Sequence, residues 1–171
     1  MSLPSYQEIQ RLAYQGVRLE ITGGMPTWEA LPGALHQGVV DDIRQSLTRH
    51  NAPTKPCGCY HIAATYIEFA PNLLRRPDIA LFCSKPPRPD GAITGLIPEA
   101  VIEVLSLGYE QKDRDAVALY LAAGVQDVLL VDPRHATVEW HCLAVARRLY
   151  DLPATLQLQM GCCVPLERVG E

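Results

Sequence analysis

The sequence predicts an α/β domain with a mixed central β-sheet flanked by α-helices. Three observations carry that reading. Residues 100–131 form a strand–helix–strand unit, which favours a parallel pair joined by a right-handed crossover. Thr137–Cys142 and Val145–Tyr150 read as a hairpin, which adds antiparallel edges. The chain of 171 residues suits one domain, taken here as 1–171, and hardly two.

The elements follow in order. Residues 5–15 place Tyr6, Ile9, Leu12 and Ala13 on one side of a short amphipathic helix. Val17–Ile21 alternates and stops at Gly23-Gly24, as a strand and turn do. Leu35, Val39, Val40, Ile43 and Leu47 keep helical spacing. Tyr60–Phe69 is rich in β-branched and aromatic residues and predicts a strand. Ile79–Cys83 and Ala100–Leu105 predict two more. Tyr109–Ala123 predicts a helix closed by Gly124. Val128–Val131 is wholly apolar, as expected of a strand covered on both faces. The tail offers one more short strand, near Leu156–Met160 or Cys163–Leu166. Prolines cluster in connections, at Pro26, Pro32, Pro53 and Pro56 and then at Pro86, Pro87 and Pro89, which marks loops inside one domain.

Composition excludes several classes. A hydrophobic fraction of 48% and a charged fraction of 20% exclude a disordered or fibrous chain. No apolar run approaches the roughly 20 residues that span a membrane. The start lacks the basic and apolar regions of a signal peptide, so a cytoplasmic location is expected. A net charge of −4 excludes a broadly basic nucleic-acid coat but permits a local basic patch. No P-loop and no Gly-x-Gly-x-x-Gly motif is present.

The six cysteines are Cys57, Cys59, Cys83, Cys142, Cys162 and Cys163. Without a secretion signal, free thiols in a reducing compartment are the expectation. Zinc fits poorly by spacing, because Cys57-Gly-Cys59 and Cys162-Cys163 lack the two- to four-residue gaps of structural sites, although His61 follows closely.

Two acids stand out. Glu103 interrupts the apolar run Ala-Val-Ile-Glu-Val-Leu, and Asp78 opens the strand Ile79–Phe82 after Arg75-Arg76-Pro77. A carboxylate in an apolar strand costs several kcal/mol unless it is paired or bound to metal. A salt bridge is the structural explanation for either acid alone. Two carboxylates at adjacent strand ends can instead share Mg²⁺, or Mn²⁺, which takes oxygen ligands. Lys112 lies about one turn into the next helix and leans back toward the strand end. Its plain alternative is a solvated lysine in the charge run Glu110–Asp115. Arg75, Arg76, Lys85 and Arg88 form a basic stretch that could meet phosphates or simply face water. Ser106 suits the N-cap of the following helix and lacks the Gly-x-Ser-x-Gly setting of a nucleophile.

Pro77-Asp78, Glu103-Val-Leu-Ser106, Tyr120-Leu-Ala-Ala-Gly124-Val and Val128-Leu-Leu-Val-Asp132-Pro133, with Arg18-Leu-Glu20 and His36-Gln37, resemble the Uma-type family of endonucleases. That family belongs to the PD-(D/E)XK, or restriction-endonuclease-like, superfamily, and the resemblance covers about residues 18 to 142. It implies a restriction-endonuclease-like fold and metal-dependent hydrolysis of DNA. It implies that Asp78 and Glu103 are metal ligands, that Glu20 completes the site and that His36 lines it, the plain alternative for His36 being a helix N-terminal residue without a catalytic role. The expected contact of Arg75 and Arg76 with substrate rests on the basic stretch. A homodimer is compatible, since cutting a duplex commonly takes two sites. The sequence also departs from the pattern. Leu105 stands where the superfamily places its lysine, Ala116 stands where this branch carries one, and Gly24-Met25 replaces a glycine-glutamate pair. Lys112 is the substitute. These departures motivate a second reading, an inactive nuclease fold serving as a DNA-binding or oligomeric scaffold. Hydrolysis of another phosphate ester is a third.

Overall fold

The computed structural model describes residues 4–29, 31–49, 57–143 and 145–169. In chain order these form α1 (Tyr6–Tyr14), β1 (Arg18–Thr22), β2 (Met25–Glu29), α2 (Ala34–Ser46), β3 (Thr48–Arg49), β4 (Tyr60–Ala63), β5 (Ile67–Ala70) and β6 (Leu73–Arg75). There follow β7 (Ile79–Phe82), β8 (Ala100–Val104), α3 (Glu110–Ala122), β9 (Asp127–Asp132), β10 (Thr137–Cys142), β11 (Val145–Asp151), β12 (Ala154–Gln157) and β13 (Cys162–Leu166).

The central sheet has six strands in the order β11-β10-β9-β8-β7-β4. It is mixed: β8 and β9 run parallel, with Glu103 opposite Leu130, and the other pairs are antiparallel. Alternation along the strands sends side chains to opposite faces. Ile79, Leu81, Ile102, Val104, Leu129 and Val131 pack on one face with Val40 and Ile43 of α2 and with Leu156 and Val164 of the small sheet β12-β13-β3. Ala80, Phe82, Val101, Val128 and Leu130 pack on the other with Ala116, Val117 and Tyr120 of α3 and Ile67 and Phe69 of β5. Helix α3 ends in a Schellman turn, in which Val125 N donates to Tyr120 O and Gly124 N to Leu121 O. Gly124 takes φ +105°, a value that glycine alone adopts without strain.

A second sheet, β2-β1-β6-β5, supports α1. Ser5 and Glu8 form a capping box at the start of that helix, and Ile9 seals against Ile21, Tyr66 and Leu74. The single strand expected over Tyr60–Phe69 is two strands in different sheets. Ala64, at φ +51°, breaks it, and Ala64 N donates to Asp78 O. Strand β2 was not expected because Pro26 interrupts it; it lies at a sheet edge, where a missing N–H is tolerated. The Cys163–Leu166 candidate lies in β13, whereas of the Leu156–Met160 candidate only Leu156 and Gln157 are in a strand, β12, which starts at Ala154 and pairs with β13. Pro53 and Pro56 lie outside the described residues.

The cysteine expectation is corrected. Cys57 is bonded to Cys83 and Cys59 to Cys162, and only Cys142 and Cys163 are free thiols among the described residues. The partners are 26 and 103 residues apart, and tertiary folding alone brings them together. Among the described residues no helix is long and apolar enough to cross a membrane.

Candidate active site

Asp78 and Glu103 meet where the β7–β8 ladder ends. The last paired residues are Ile79 and Ile102. Beyond them the side chains take over the backbone bonding. Asp78 N donates to Glu103 Oε2 at 3.0 Å, and Val104 N donates to Asp78 Oδ2 at 2.8 Å. This reciprocal clasp fixes both carboxylates against the same strand ends.

Each acid has a further partner. Tyr120 of α3 donates its hydroxyl to Glu103 Oε1 at 2.5 Å. His36, in the first turn of α2, places Nε2 2.9 Å from Asp78 Oδ1 and Nδ1 2.9 Å from Ser106 Oγ. A carboxylate only accepts, so the Asp78 contact puts the imidazole proton on Nε2 and leaves Nδ1 to accept from Ser106. Ser106 therefore orients His36 rather than capping α3, whose N-cap is Tyr109 without a side-chain cap bond.

Asp113 is the acid that the sequence did not single out. It lies in α3 and is buried, as are Glu103 and Glu20. Burial, then the charges of Asp78 and Asp113, push the Glu103 carboxyl well above its ordinary range. Burial pushes Asp113 up to about 7, with Asp78 and Glu20 adding to the rise and Lys112 and Arg75 opposing it. Asp78 and Asp113 thus bear on Glu103 by charge, but among the described residues no three carboxylates bring ligand oxygens within 4.8 Å of one another; the group that converges so closely is Cys57, Cys59 and Cys162.

Glu20 arrives from the second sheet. Its Oε1 accepts Arg76 N at 2.8 Å. Its Oε2 accepts Lys112 Nζ at 3.0 Å and lies 3.4 Å from Arg75 Nη1. Lys112 Nζ is also 3.9 Å from Asp113 Oδ1. The lysine thus reaches the acids from α3, whereas Leu105, at the superfamily's lysine position, is buried in the core.

The two adjacent arginines part company. Arg75 is 2% exposed and lies 5.6 Å from the Tyr120 ring centroid. Burial works against its charge, but Tyr120, Glu20 and Glu103 together hold it more firmly protonated than usual. The Arg75 guanidinium, expected at the substrate, is turned inward and braces Glu20. Arg76 faces outward, over Tyr66. Arg18, Arg76 and Arg134 line the cavity of about 280 Å³ that opens in front of Asp78, Glu103 and Asp113. Burial and the neighbouring Arg76 charge lower the Arg18 pKa, with Tyr66 and Asp78 opposing. Lys85 and Arg88 are not among the residues that line it.

The arrangement therefore joins a carboxylate cluster to an arginine rim. No curated protein matches the chain. Four chains of solved structures do. One is the crystal structure of a putative nuclease belonging to DUF820 from Anabaena variabilis ATCC 29413. It is 22% identical with a TM-score of 0.64, and the match covers 90% of this chain and 88% of that one. That likeness shows the shared fold. The profile of the Uma2 family, described as "putative restriction endonuclease", matches residues 4–162, and the chain belongs to that family.

Proposed function

We propose that the protein is a metal-dependent endonuclease that hydrolyses DNA phosphodiester bonds. The observation that carries this reading is the Asp78–Glu103 clasp, which opens into a cavity rimmed by Arg18, Arg76 and Arg134. Asp78 and Glu103, with Asp113 beside them, would hold Mg²⁺ or Mn²⁺. The ion supplies a lowered pKa for bound water and stabilises charge on a phosphoryl oxygen. The chain's own residues do the rest. His36, steadied by Ser106, orients Asp78. Glu20 positions Lys112, which orients the attacking water. The arginine rim binds the phosphate and its neighbours in register. Addition of water across the P–O bond leaves one phosphate end and one hydroxyl end. Two copies of the chain, each with one site, would cut the two strands of a duplex.

Purified protein incubated with plasmid and single-stranded DNA across a Mg²⁺ or Mn²⁺ titration tests this. Metal-dependent cleavage that Asp78→Ala abolishes is expected. Undiminished cleavage by Asp78→Ala overturns the reading. Leu105 in the lysine position favours a second reading, an inactive scaffold; DNA binding without turnover at any metal concentration would select it.

A further inference from the structure

Three buried cysteines, Cys57, Cys59 and Cys162, converge on one point, with the half-buried Cys83 bonded to one of them. Cys57 and Cys59 flank Gly58 ahead of β4, Cys83 follows β7, and Cys162 opens β13. Cys57, Cys59 and Cys162 are buried, and their three sulfurs lie within 4.8 Å of one another. Cys83 Sγ is bonded to Cys57 Sγ but is not within 4.8 Å of all three, so it would swing in as the fourth ligand once that bond is reduced.

We propose that in the reduced protein these four thiols bind one zinc ion, a structural site separate from the nuclease cavity. The first argument is distance. Cys57 Sγ and Cys162 Sγ, which are not bonded to each other, stand 3.8 Å apart. A tetrahedron with metal–sulfur bonds of about 2.3 Å has sulfur–sulfur edges of about 3.8 Å.

The second argument is the backbone. Gly58 N donates to Cys83 O at 2.7 Å, drawing the Cys-Gly-Cys turn onto the end of β7. A Cβ on Gly58 would sit 2.8 Å from that same carbonyl oxygen and 2.3 Å from the Tyr60 ring, so only glycine fits. Cys59 at φ 47° and Gly161 at φ 95° turn the chain sharply beside two of the sulfurs. The turn thereby corrects the spacing objection: Cys57 and Cys59 need no longer gap, because the remaining ligands come from two other strands.

The third argument is selection among thiols and charge. Strand alternation turns Cys163 away from its neighbour Cys162, so the Cys-Cys pair gives one ligand. Arg49 pairs with Cys162 across β3–β13, and its Nε donates to Gly58 O at 3.1 Å. That places a cation beside a zinc–tetrathiolate centre of net charge −2.

The chemistry balances simply. Each disulfide takes two electrons and two protons from a dithiol reductant. Four thiols then release four protons to solvent as Zn²⁺ binds. Four thiolates hold a metal, and the two disulfides hold none.

The test uses the full chain, reduced with a dithiol, supplied with zinc and desalted. One zinc per chain by elemental analysis is expected, with six reactive thiols after denaturation in chelator. Cobalt(II) in place of zinc should give thiolate-to-metal charge-transfer absorption and the intense visible bands of a tetrahedral site. Asp78→Ala and Cys163→Ser should keep the metal. Cys83→Ser and Cys162→Ser should each weaken binding by at least ~10-fold, within the range that lost metal-site interactions typically cost. Reduced wild type that binds no zinc, or cobalt spectra without thiolate bands, overturns the proposal without reference to any variant's folding. So does zinc retained by Cys162→Ser.

Discussion

Tyr120 reaches from the middle of α3 to Glu103 and donates its hydroxyl to Oε1, while Asp78 N occupies Oε2. The acid proposed as a ligand is thus held at both oxygens by groups that bind no metal themselves. Tyr120→Phe removes the strongest of these restraints and leaves a buried carboxylate oxygen short of a donor. A stability loss of about 1–3 kcal/mol is expected in urea unfolding. Mn²⁺ affinity by calorimetry should fall by about 10–100-fold, as for other outer-shell partners. Unchanged affinity would separate Glu103 from the metal.

Glu20 stands between two cations, one buried and one near solvent. Arg75 is 3% exposed in its side chain and Lys112 20%. Glu20→Gln strands the buried guanidinium, and a loss of about 3–5 kcal/mol is expected. Lys112→Met should cost less, because Glu20 keeps Arg75. Thermal unfolding of the two variants side by side checks the order.

Arg18 and Arg76 face the cavity, and Arg75 does not. If the rim binds phosphates, Arg18→Ala and Arg76→Ala should each reduce the slope of log affinity against log salt by about 1. Arg75→Ala should instead lower stability. Fluorescence anisotropy with a DNA duplex at several salt concentrations distinguishes the two kinds of arginine.

Glu139 on β10 accepts from Arg114 at 3.0 Å and from Arg147 at 3.2 Å, with His141 beside it. Burial alone would raise its carboxyl, but the Arg114 bond and the two arginine charges outweigh burial and hold it below the ordinary range. A depressed pKa gives stability that is present above the unfolded value, about 4.3, and is lost as pH falls through the folded one. Both arginines are partly exposed, so the stabilisation is set at about 1 kcal/mol. The stability gap between wild type and Glu139→Gln should be level near neutrality and close in acid. A gap that does not shrink as the pH falls would contradict the assignment.

Gly124 has open space around its Cα, so its substitution isolates backbone strain from packing. Gly124→Ala should cost about 1–2 kcal/mol through its left-handed φ alone. Circular dichroism in urea checks this, and the metal site should be unaffected.

The central sheet was legible because its signals are local. A lone Glu103 in an apolar strand and a Pro-Asp step before another need no tertiary information to look unusual. Asp113 was hidden for the opposite reason. Its neighbours Glu110, Lys112, Arg114 and Asp115 make it look like one charge on a solvated face, and only the docking of α3 buries it. The same limit applies to Arg75 and Arg76, adjacent residues with opposite surroundings. The break at Ala64 depends on a carbonyl fourteen residues away, at Asp78. The cysteine cluster draws on three separate segments, so no spacing rule applied to one of them could find it.

Strand β6 belongs to the four-stranded sheet and β7 to the six-stranded one, and only Arg76, Pro77 and Asp78 separate them. Pro77 locks its own φ and restricts Arg76, so this corner is short and stiff. Asp78 is therefore mounted on the corner post between two walls. Its backbone is tied to Glu103 on one wall, and Arg76 N beside it is tied to Glu20 on the other. A tilt of one wall against the other has no slack to absorb it and must pull on the aspartate. The spacing of the carboxylates is thus a gauge of the angle between the sheets, and substitutions far from the cavity that alter that angle will register there.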